Sequence, residues 1–337
     1  MTFFVESLGC AKNQVDSEEL IAHLERGGLT SAAQAEEADL IIVNTCGFIT
    51  SAKEESIQTS LDFKDRFPGK RVLMTGCLVQ RYSEELAQAM QEIDGFAPLR
   101  DFEGILRLAR GEAAPDGPAA SGAVPALRPS AGPSARSRLL SFPGSAYVKV
   151  ADGCGNRCSY CAIPLIRGEL ESRPPQQVVE EIRGLLDRGV FELVLIAQDL
   201  ASYGRDLDGH PNGATLLSLL ESICRLAGPF WLRLLYLHPD HFPTPLLDLA
   251  ASEPRLLPYF DLPFQHASRA VLSLMGRRGS SDSYLELVGR IRGRLPQAAL
   301  RSTFLVGFPG EGDEDFGALA EFQKAASLDW LGVFAYS

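Results

Sequence analysis

Short apolar runs alternate with amphipathic stretches along most of the 337 residues, and no other feature narrows the possible folds so far. Phe3 to Leu8 reads as a strand, and Ser17 to Arg26 follows with Leu20, Ile21 and Leu24 at helical spacing before Gly27. Leu40 to Val43 is a continuous apolar run of the kind buried on both faces of a parallel sheet, and a Ser-, Glu- and Lys-rich helical stretch comes next. Arg71 to Met74 repeats the pattern, with a helix near Glu84 to Gln91. This β-α-β-α order predicts a parallel sheet with helices on its faces. Six further strand candidates then recur: Tyr147 to Val150, Glu192 to Ala197, Trp231 to Leu237, Tyr259 to Leu262, Leu300 to Val306 and Leu331 to Ala335. Helices fit between them, such as Gln177 to Arg188 with Val178, Ile182, Leu185 and Leu186 on one face. Six β-α units predict a partial, TIM-like (β/α)6 barrel with its chemistry at the C-terminal strand ends.

From Gly111 to Gly144 the chain turns to Ala, Pro, Ser and Gly without usable periodicity, which predicts a linker over 111–144. The expected organisation is an α/β domain over 1–110 and the barrel over 145–337, in line with a length that suits about two domains. A chain that is 45% hydrophobic and 22% charged excludes wholesale disorder and fibrous architectures. The net charge of −11 argues against tight nucleic-acid binding, which needs clustered Lys and Arg, and suits a basic partner. Glu6 interrupts the only apolar run near the start, and no stretch approaches the ~18 apolar residues of a membrane span. A cytoplasmic location is therefore expected, where thiols stay reduced and serve metals or catalysis.

Seven cysteines then carry the question of function. Cys154, Cys158 and Cys161 stand at C-x3-C-x2-C spacing directly after the first barrel strand. Three thiols in so short a loop can wrap one metal centre, but structural zinc normally closes with a fourth Cys or His, and none lies close by. An iron-sulfur cluster held by three cysteines leaves one iron open to a substrate or cofactor. Redox thiols are the other alternative.

With Tyr160 immediately before the third cysteine, this loop resembles that of the radical S-adenosylmethionine (SAM) enzymes. The resemblance implies a 4Fe-4S cluster whose open iron is chelated by the methionine part of SAM, and reductive cleavage of SAM to a 5′-deoxyadenosyl radical. The protein's task is then to position and shield.

Cys10, Cys46 and Cys77 are far apart in sequence, yet each follows the end of one expected strand and each adjoins a glycine, Gly9, Gly47 or Gly76. In a parallel sheet those ends share an edge where ligand sites form, so the three thiols can converge on a second cluster. The alternative, cysteines filling a core, suits Cys224, which lies in an apolar helical stripe from Leu216.

A three-cysteine α/β domain joined to a radical SAM barrel resembles the methylthiotransferases over essentially the whole chain. Within that family, Ser7-Leu8-Gly9-Cys10-Ala11-Lys12-Asn13, Cys161-Ala162-Ile163-Pro164, Ser172-Arg173-Pro174, Ala197-Gln198-Asp199 and Leu262-Pro263-Phe264-Gln265-His266 are similar to one branch. That branch modifies an aspartate of small-subunit ribosomal protein twelve; the other modifies a tRNA adenosine. A non-catalytic iron-sulfur carrier is the alternative of another class. Family members usually end in a small β-barrel, TRAM, which is expected to be absent here because Ser337 falls in the last barrel strand.

The resemblance implies that Cys154, Cys158 and Cys161 hold the SAM cluster and that Cys10, Cys46 and Cys77 hold an auxiliary cluster that delivers sulfur. One SAM serves as methyl donor and a second as radical source. Tyr160, Gln198, Asp199 and Gly307 are expected to contact SAM, Gln198 and Asp199 from a strand end where related enzymes bind the methionine amine. Arg233 is expected to point into the barrel towards a carboxylate, either that of SAM or an internal Asp or Glu. Arg167 and Arg173 are expected either to receive the substrate aspartate or to be solvated surface residues. His266 either lines the site with Gln265 or is a hydrogen-bonded core histidine. The implied partners are the basic ribosomal protein and an electron donor such as flavodoxin or ferredoxin, with the enzyme a monomer.

Overall fold

The computed structural model describes residues 1–112, 136–207 and 215–337. They form two compact units, one of Met1–Ser141 with Ala162–Gly168, the other of Phe142–Cys161 with Glu169–Ser337.

The first unit runs β1 (Thr2–Ser7), α1 (Ala11–Arg26), β2 (Thr30–Ser31), β3 (Leu40–Thr45), α2 (Thr50–Arg66), β4 (Arg71–Gly76), α3 (Cys77–Ala89), β5 (Gly95–Phe96) and α4 (Phe102–Ala109), to which α5 (Ile163–Arg167) is added. The sheet order is β2-β1-β3-β4-β5, with every pairing parallel. All six residues of β3 are buried, as expected of a central strand covered on both faces. Phe3, Leu20, Leu24, Leu40 and Ile42 pack one face; Ile41, Val43, Val72, Met74, Leu78 and Val79 pack the other. Each such side chain contributes about 1.5–3 kcal/mol on burial.

Two expectations shift here. Helices α1 and α3 begin directly after the β1 and β4 turns, earlier than the apolar periodicity placed them: the first turn of α1 buries the polar Lys12 and Asn13, and that of α3 buries Cys77, Leu78 and Val79. The expected linker is also shorter: Arg136 is buried against Glu18 at 2.7 Å, and the Leu140 N–H donates to the same carboxylate at 2.8 Å. Low apolar content concealed one buried arginine. The stretch 113–135 lies outside the described residues.

The second unit runs β6 (Ser145–Lys149), β7 (Ala151–Asp152), β8 (Glu171–Ser172), α6 (Pro175–Asp187), β9 (Glu192–Ile196), α7 (Leu216–Cys224), β10 (Trp231–Leu234), α8 (Leu246–Ser252), β11 (Leu256–Asp261), α9 (Arg269–Leu274), α10 (Ser281–Arg294), β12 (Ala299–Val306), α11 (Asp313–Ala326) and β13 (Trp330–Ala335). Six strands form one sheet in the order β13-β12-β11-β10-β9-β6, each paired parallel with its neighbour. Among the described residues β6 and β13 do not pair, so the barrel is open, as six units imply. Turn chemistry sets the helix starts: Thr215 with Ser218 and Ser280 with Ser283 form reciprocal caps at α7 and α10. Because every strand runs the same way, all the strand-to-helix loops, including the one holding Cys154, gather on one side of this sheet.

Candidate metal centres and cofactor site

In the first unit, the adjacent strands β1, β3 and β4 deliver the three cysteines. Cys10 caps the N-terminus of α1, Cys46 directly follows β3, and Cys77 is the first residue of α3. Cys10 and Cys77 therefore sit at the N-terminal ends of α1 and α3. The chain comes this close only because glycines stand between. A Cβ added at Gly47 would lie 2.7–2.9 Å from backbone atoms of Leu78 and Cys77, and one at Gly9 would lie 2.8 Å from the Cys46 Cβ. Gly76 adopts φ +98° and has Asn44 Oδ1 where a Cβ would go. Cys10 lies within electrostatic range of both Cys46 and Cys77.

A polar network holds this edge rigid. Ser56 Oγ accepts from the Cys46 N–H at 3.0 Å. Asn13 Nδ2 donates to the carbonyls of Leu8 and Thr45 at 3.0 and 2.9 Å, which ties the β1 and β3 turns together. Its Oδ1 accepts from the Cys77 thiol at 3.3 Å and from Arg167 at 2.7 Å. Burial pushes the Cys77 thiol up to about 11 and also raises that of Cys46, with Arg167 opposing both shifts. Arg167 is thus neither a solvated residue nor a free receptor for a substrate carboxylate. It is buried in the first unit on Asp16, at 2.8 Å.

In the second unit, the loop from Cys154 to Cys161 leaves β6 and β7 and rests on the end of α9. Ser159 donates through N–H to the Met275 carbonyl at 3.1 Å and through Oγ to that of Leu274 at 2.8 Å. A Cβ on Gly276 would come within 3.0 Å of the Arg157 carbonyl, so the loop needs a glycine beneath it. Asn156 Nδ2 donates to Asp199 Oδ2 at 2.9 Å, anchoring the loop to the β9 end. Burial alone would raise the Asp199 carboxyl, but donation from His241, the nearby His238, Ser202 and Asn156 hold it well below the usual carboxylate range. Burial also raises the Cys154 thiol. Tyr160 is packed edge-on against Phe308, and burial, reinforced by Cys158 and opposed by Arg277, raises its phenol pKa.

Gln198 donates to Asp152 Oδ1 at 2.8 Å, while its own Oε1 is buried with no hydrogen-bond partner among the described residues. That acceptor is oriented for a donor the polypeptide does not supply, and an ammonium fits it. Gly307 has φ +72° and open space where a Cβ would be, so backbone is bared beside Phe308. Cys and Gln at the ends of the adjacent β6 and β9, with bare backbone at the end of β12 in the same sheet, are a donor set suited to a cluster and an amino-acid-bearing nucleotide.

Three expected site residues are engaged elsewhere. Arg233 bonds Glu192 Oε1 at 2.8 Å and stacks on Tyr259, so the internal carboxylate is its partner. Arg173 is buried on Glu181 at 2.5 Å and on the Lys149 carbonyl at 2.8 Å, which fits neither a surface residue nor a substrate receptor. His266 is fully buried: its Nδ1 accepts from the Ser268 N–H at 3.0 Å, its Nε2 faces Glu311 at 3.5 Å, and burial lowers its pKa, as for a core histidine. Cys224 ends α7, apart from both sets. Asn13 and Asp16 carried no assigned role from the sequence. The available signal was polar residues on the face of α1 that Val15, Leu20 and Leu24 make apolar.

Residues 2–97 match the family model described as uncharacterized protein family UPF0004, and residues 148–322 match the radical SAM superfamily. The ribosomal protein uS12 methylthiotransferase RimO of Pelotomaculum thermopropionicum is 43% identical over 334 residues, spanning 98% of this chain and 74% of that protein. The RimO proteins of Geobacter sulfurreducens and Carboxydothermus hydrogenoformans are 43% and 40% identical, spanning 98% and 100% of this chain and 74% and 75% of theirs. Among solved structures, the radical SAM methyltransferase TsrM from Kitasatospora setae, with cobalamin and a [4Fe-4S] cluster bound, superposes with a TM-score of 0.70 at 16% identity, covering 99% of this chain and 71% of that one. The cobalamin-dependent radical enzyme OxsB gives 0.65 at 11% identity, covering 95% of this chain and 51% of that one. These two likenesses speak to the fold alone; identity above 40% along nearly the whole length, with both family models in place, shows that the chain belongs to the RimO family of ribosomal protein uS12 methylthiotransferases within the radical SAM superfamily.

Proposed function

We propose that the protein attaches a methylthio group to the β-carbon of an aspartate in ribosomal protein uS12. The observation that carries this reading is the presence of two separate three-cysteine sets, each at strand ends, in a chain 43% identical to a RimO protein. Cys154, Cys158 and Cys161 hold a 4Fe-4S cluster that binds SAM, and Cys10, Cys46 and Cys77 hold an auxiliary 4Fe-4S cluster. When bound, the clusters and SAM supply sulfur, a methyl group and a carbon radical.

The chain's own residues position and shield. The seat of Ser159 on Leu274 and Met275, with the Asn156–Asp199 anchor, fixes the cluster loop before anything binds. Gln198 Oε1 accepts from the methionine ammonium of SAM, Gly307 admits its adenine to the backbone, and Tyr160 with Phe308 excludes water from that side. Among the described residues no helix is long and apolar enough to cross a membrane. We place the enzyme in the cytoplasm as a monomer, reduced by a flavodoxin or ferredoxin.

The test uses protein reconstituted anaerobically with iron and sulfide. Wild type should bind two four-iron clusters, and the Cys154→Ala/Cys158→Ala/Cys161→Ala variant should lose one of them. Incubation of the wild type with SAM, a reductant and small ribosomal subunits should add a methylthio mass to uS12 and none to tRNA. Iron content unchanged in the triple variant, or a mass gain on tRNA alone, overturns the proposal.

A further inference from the structure

Among the ion pairs buried in the first unit, one cation touches a thiol. Arg167 and Asp16 form an ion pair with side chains 1% and 3% exposed, and the same guanidinium lies 3.4 Å from Cys77 Sγ. Asn13 Oδ1 accepts from both Cys77 and Arg167. Ala162 and Ile166, from the segment that carries Arg167, pack directly on Cys77. A buried guanidinium is expensive without a partner, and Asp16 removes that expense while fixing the direction in which its N–H groups point.

We infer that Arg167 is a positioning residue for the auxiliary cluster: its guanidinium donates to the Cys77 sulfur, holding that ligand in place and raising the cluster's reduction potential. The inference rests on the reading that Cys77 is a cluster ligand. A ligating cysteine is a thiolate, so its donation to Asn13 disappears, and the Asn13 oxygen is left to Arg167 alone. The sulfur then has an N–H donor already aimed at it. Hydrogen bonds to cluster sulfurs and nearby positive charge stabilise the more negative, reduced state, and the buried Arg167 is screened little by solvent. Asn13 completes the device by tying the β1 and β3 turns that carry Cys10 and Cys46. The receptor role for a substrate carboxylate is accordingly withdrawn from Arg167, since Asp16 already takes that valence.

The experiment uses the full chain in the Cys154→Ala/Cys158→Ala/Cys161→Ala background, so that iron reports only the auxiliary set. Arg167→Gln and Arg167→Lys are compared with Arg136→Gln, which breaks another buried pair of this unit, with Glu18. The readouts are iron per chain, the rate of iron release to a chelator, and the potential from a dithionite titration followed by electron paramagnetic resonance. Arg167→Gln should release iron about 10- to 100-fold faster, the range typical of lost outer-shell partners, and shift the potential negative. Arg167→Lys, which keeps the charge, should shift it less, and Arg136→Gln should leave it unmoved. If Arg167→Gln fails to fold, Arg167→Lys decides. A potential and release rate equal to those of the background, or an equal shift in Arg136→Gln, overturns the inference. A background that binds no iron overturns instead the assignment of Cys10, Cys46 and Cys77.

Discussion

Replacing Gly47 with Ala tests whether the Cys46 turn is wedged against the start of α3. The added methyl would lie 2.7, 2.8 and 2.9 Å from Leu78 Cα, Leu78 N and the Cys77 carbonyl carbon, all backbone atoms that cannot rotate away. Overpacking costs about 1–3 kcal/mol, and three rigid contacts place this case near 3. For a unit of this size each kcal/mol moves Tm by roughly 2–4 °C, so a fall of about 10 °C is expected. Gly69→Ala supplies the baseline: nothing lies within 4 Å of its added methyl, and the effect should stay within about 1 kcal/mol. Relief of the overlap must also move Cys46 away from Cys77, whereas metal-ligand distances tolerate only about 0.2 Å. The assay is thermal unfolding by circular dichroism together with iron per chain in the Cys154→Ala/Cys158→Ala/Cys161→Ala background. A Gly47→Ala protein with the Tm and iron content of Gly69→Ala would refute the reasoning about the close approach.

Arg173→Met removes the guanidinium from the buried ion pair with Glu181 and should destabilise the second unit by about 3–5 kcal/mol in denaturant titration, with KM for the ribosomal substrate unchanged. His238 is held neutral, its pKa lowered to about 4 by burial and by Arg277. The unfolded chain therefore binds the extra proton first as pH falls. The His238 contribution is fully present above about pH 6.5 and is lost between there and about pH 4, and His238→Gln should flatten that limb of the stability-pH curve by up to roughly 3 kcal/mol. Cys224→Ala should leave iron content unchanged by chemical analysis, since Cys224 ends α7 with its thiol raised to about 11 by burial.

The architecture and the placement of Cys10, Cys46 and Cys77 after strand ends were legible because both depend on local pattern. Apolar runs of strand length separated by amphipathic helices admit few arrangements, and a cysteine beside a glycine at a strand end announces itself wherever the strand pairs. The arginines were not legible. Arg167, Arg173 and Arg233 each lie among mixed neighbours, and their partners, Asp16, Glu181 and Glu192, are separated from them by 151, 8 and 41 residues. Only Glu181 is near in sequence, and even there a turn and a helix start intervene. Whether an arginine is solvated or buried on a carboxylate depends on tertiary contact, which charge patterning along the chain does not encode. The early start of α1 escaped for the same reason, since Asn13 and Asp16 are polar yet face inward towards Cys77 and Arg167.

These buried pairs also sharpen the meaning of the acidic balance. Arg136, Arg167 and Arg173 are each neutralised inside by Glu18, Asp16 and Glu181, so the net charge of −11 is carried by the remaining, mostly solvent-facing groups with fewer cations among them. An outward field of that sign accelerates encounter with a basic protein and slows encounter with a polyanion. The steering acts beyond contact, over a Debye length of about 30 Å at 10 mM salt and about 8 Å at 150 mM. Association with isolated uS12, followed by stopped-flow fluorescence, should therefore slow by about tenfold or more over that range, while dissociation changes little. A rate that is flat or rises with salt would show that the charge plays no part in choosing the partner, and would return the discrimination between uS12 and tRNA entirely to contacts made after encounter.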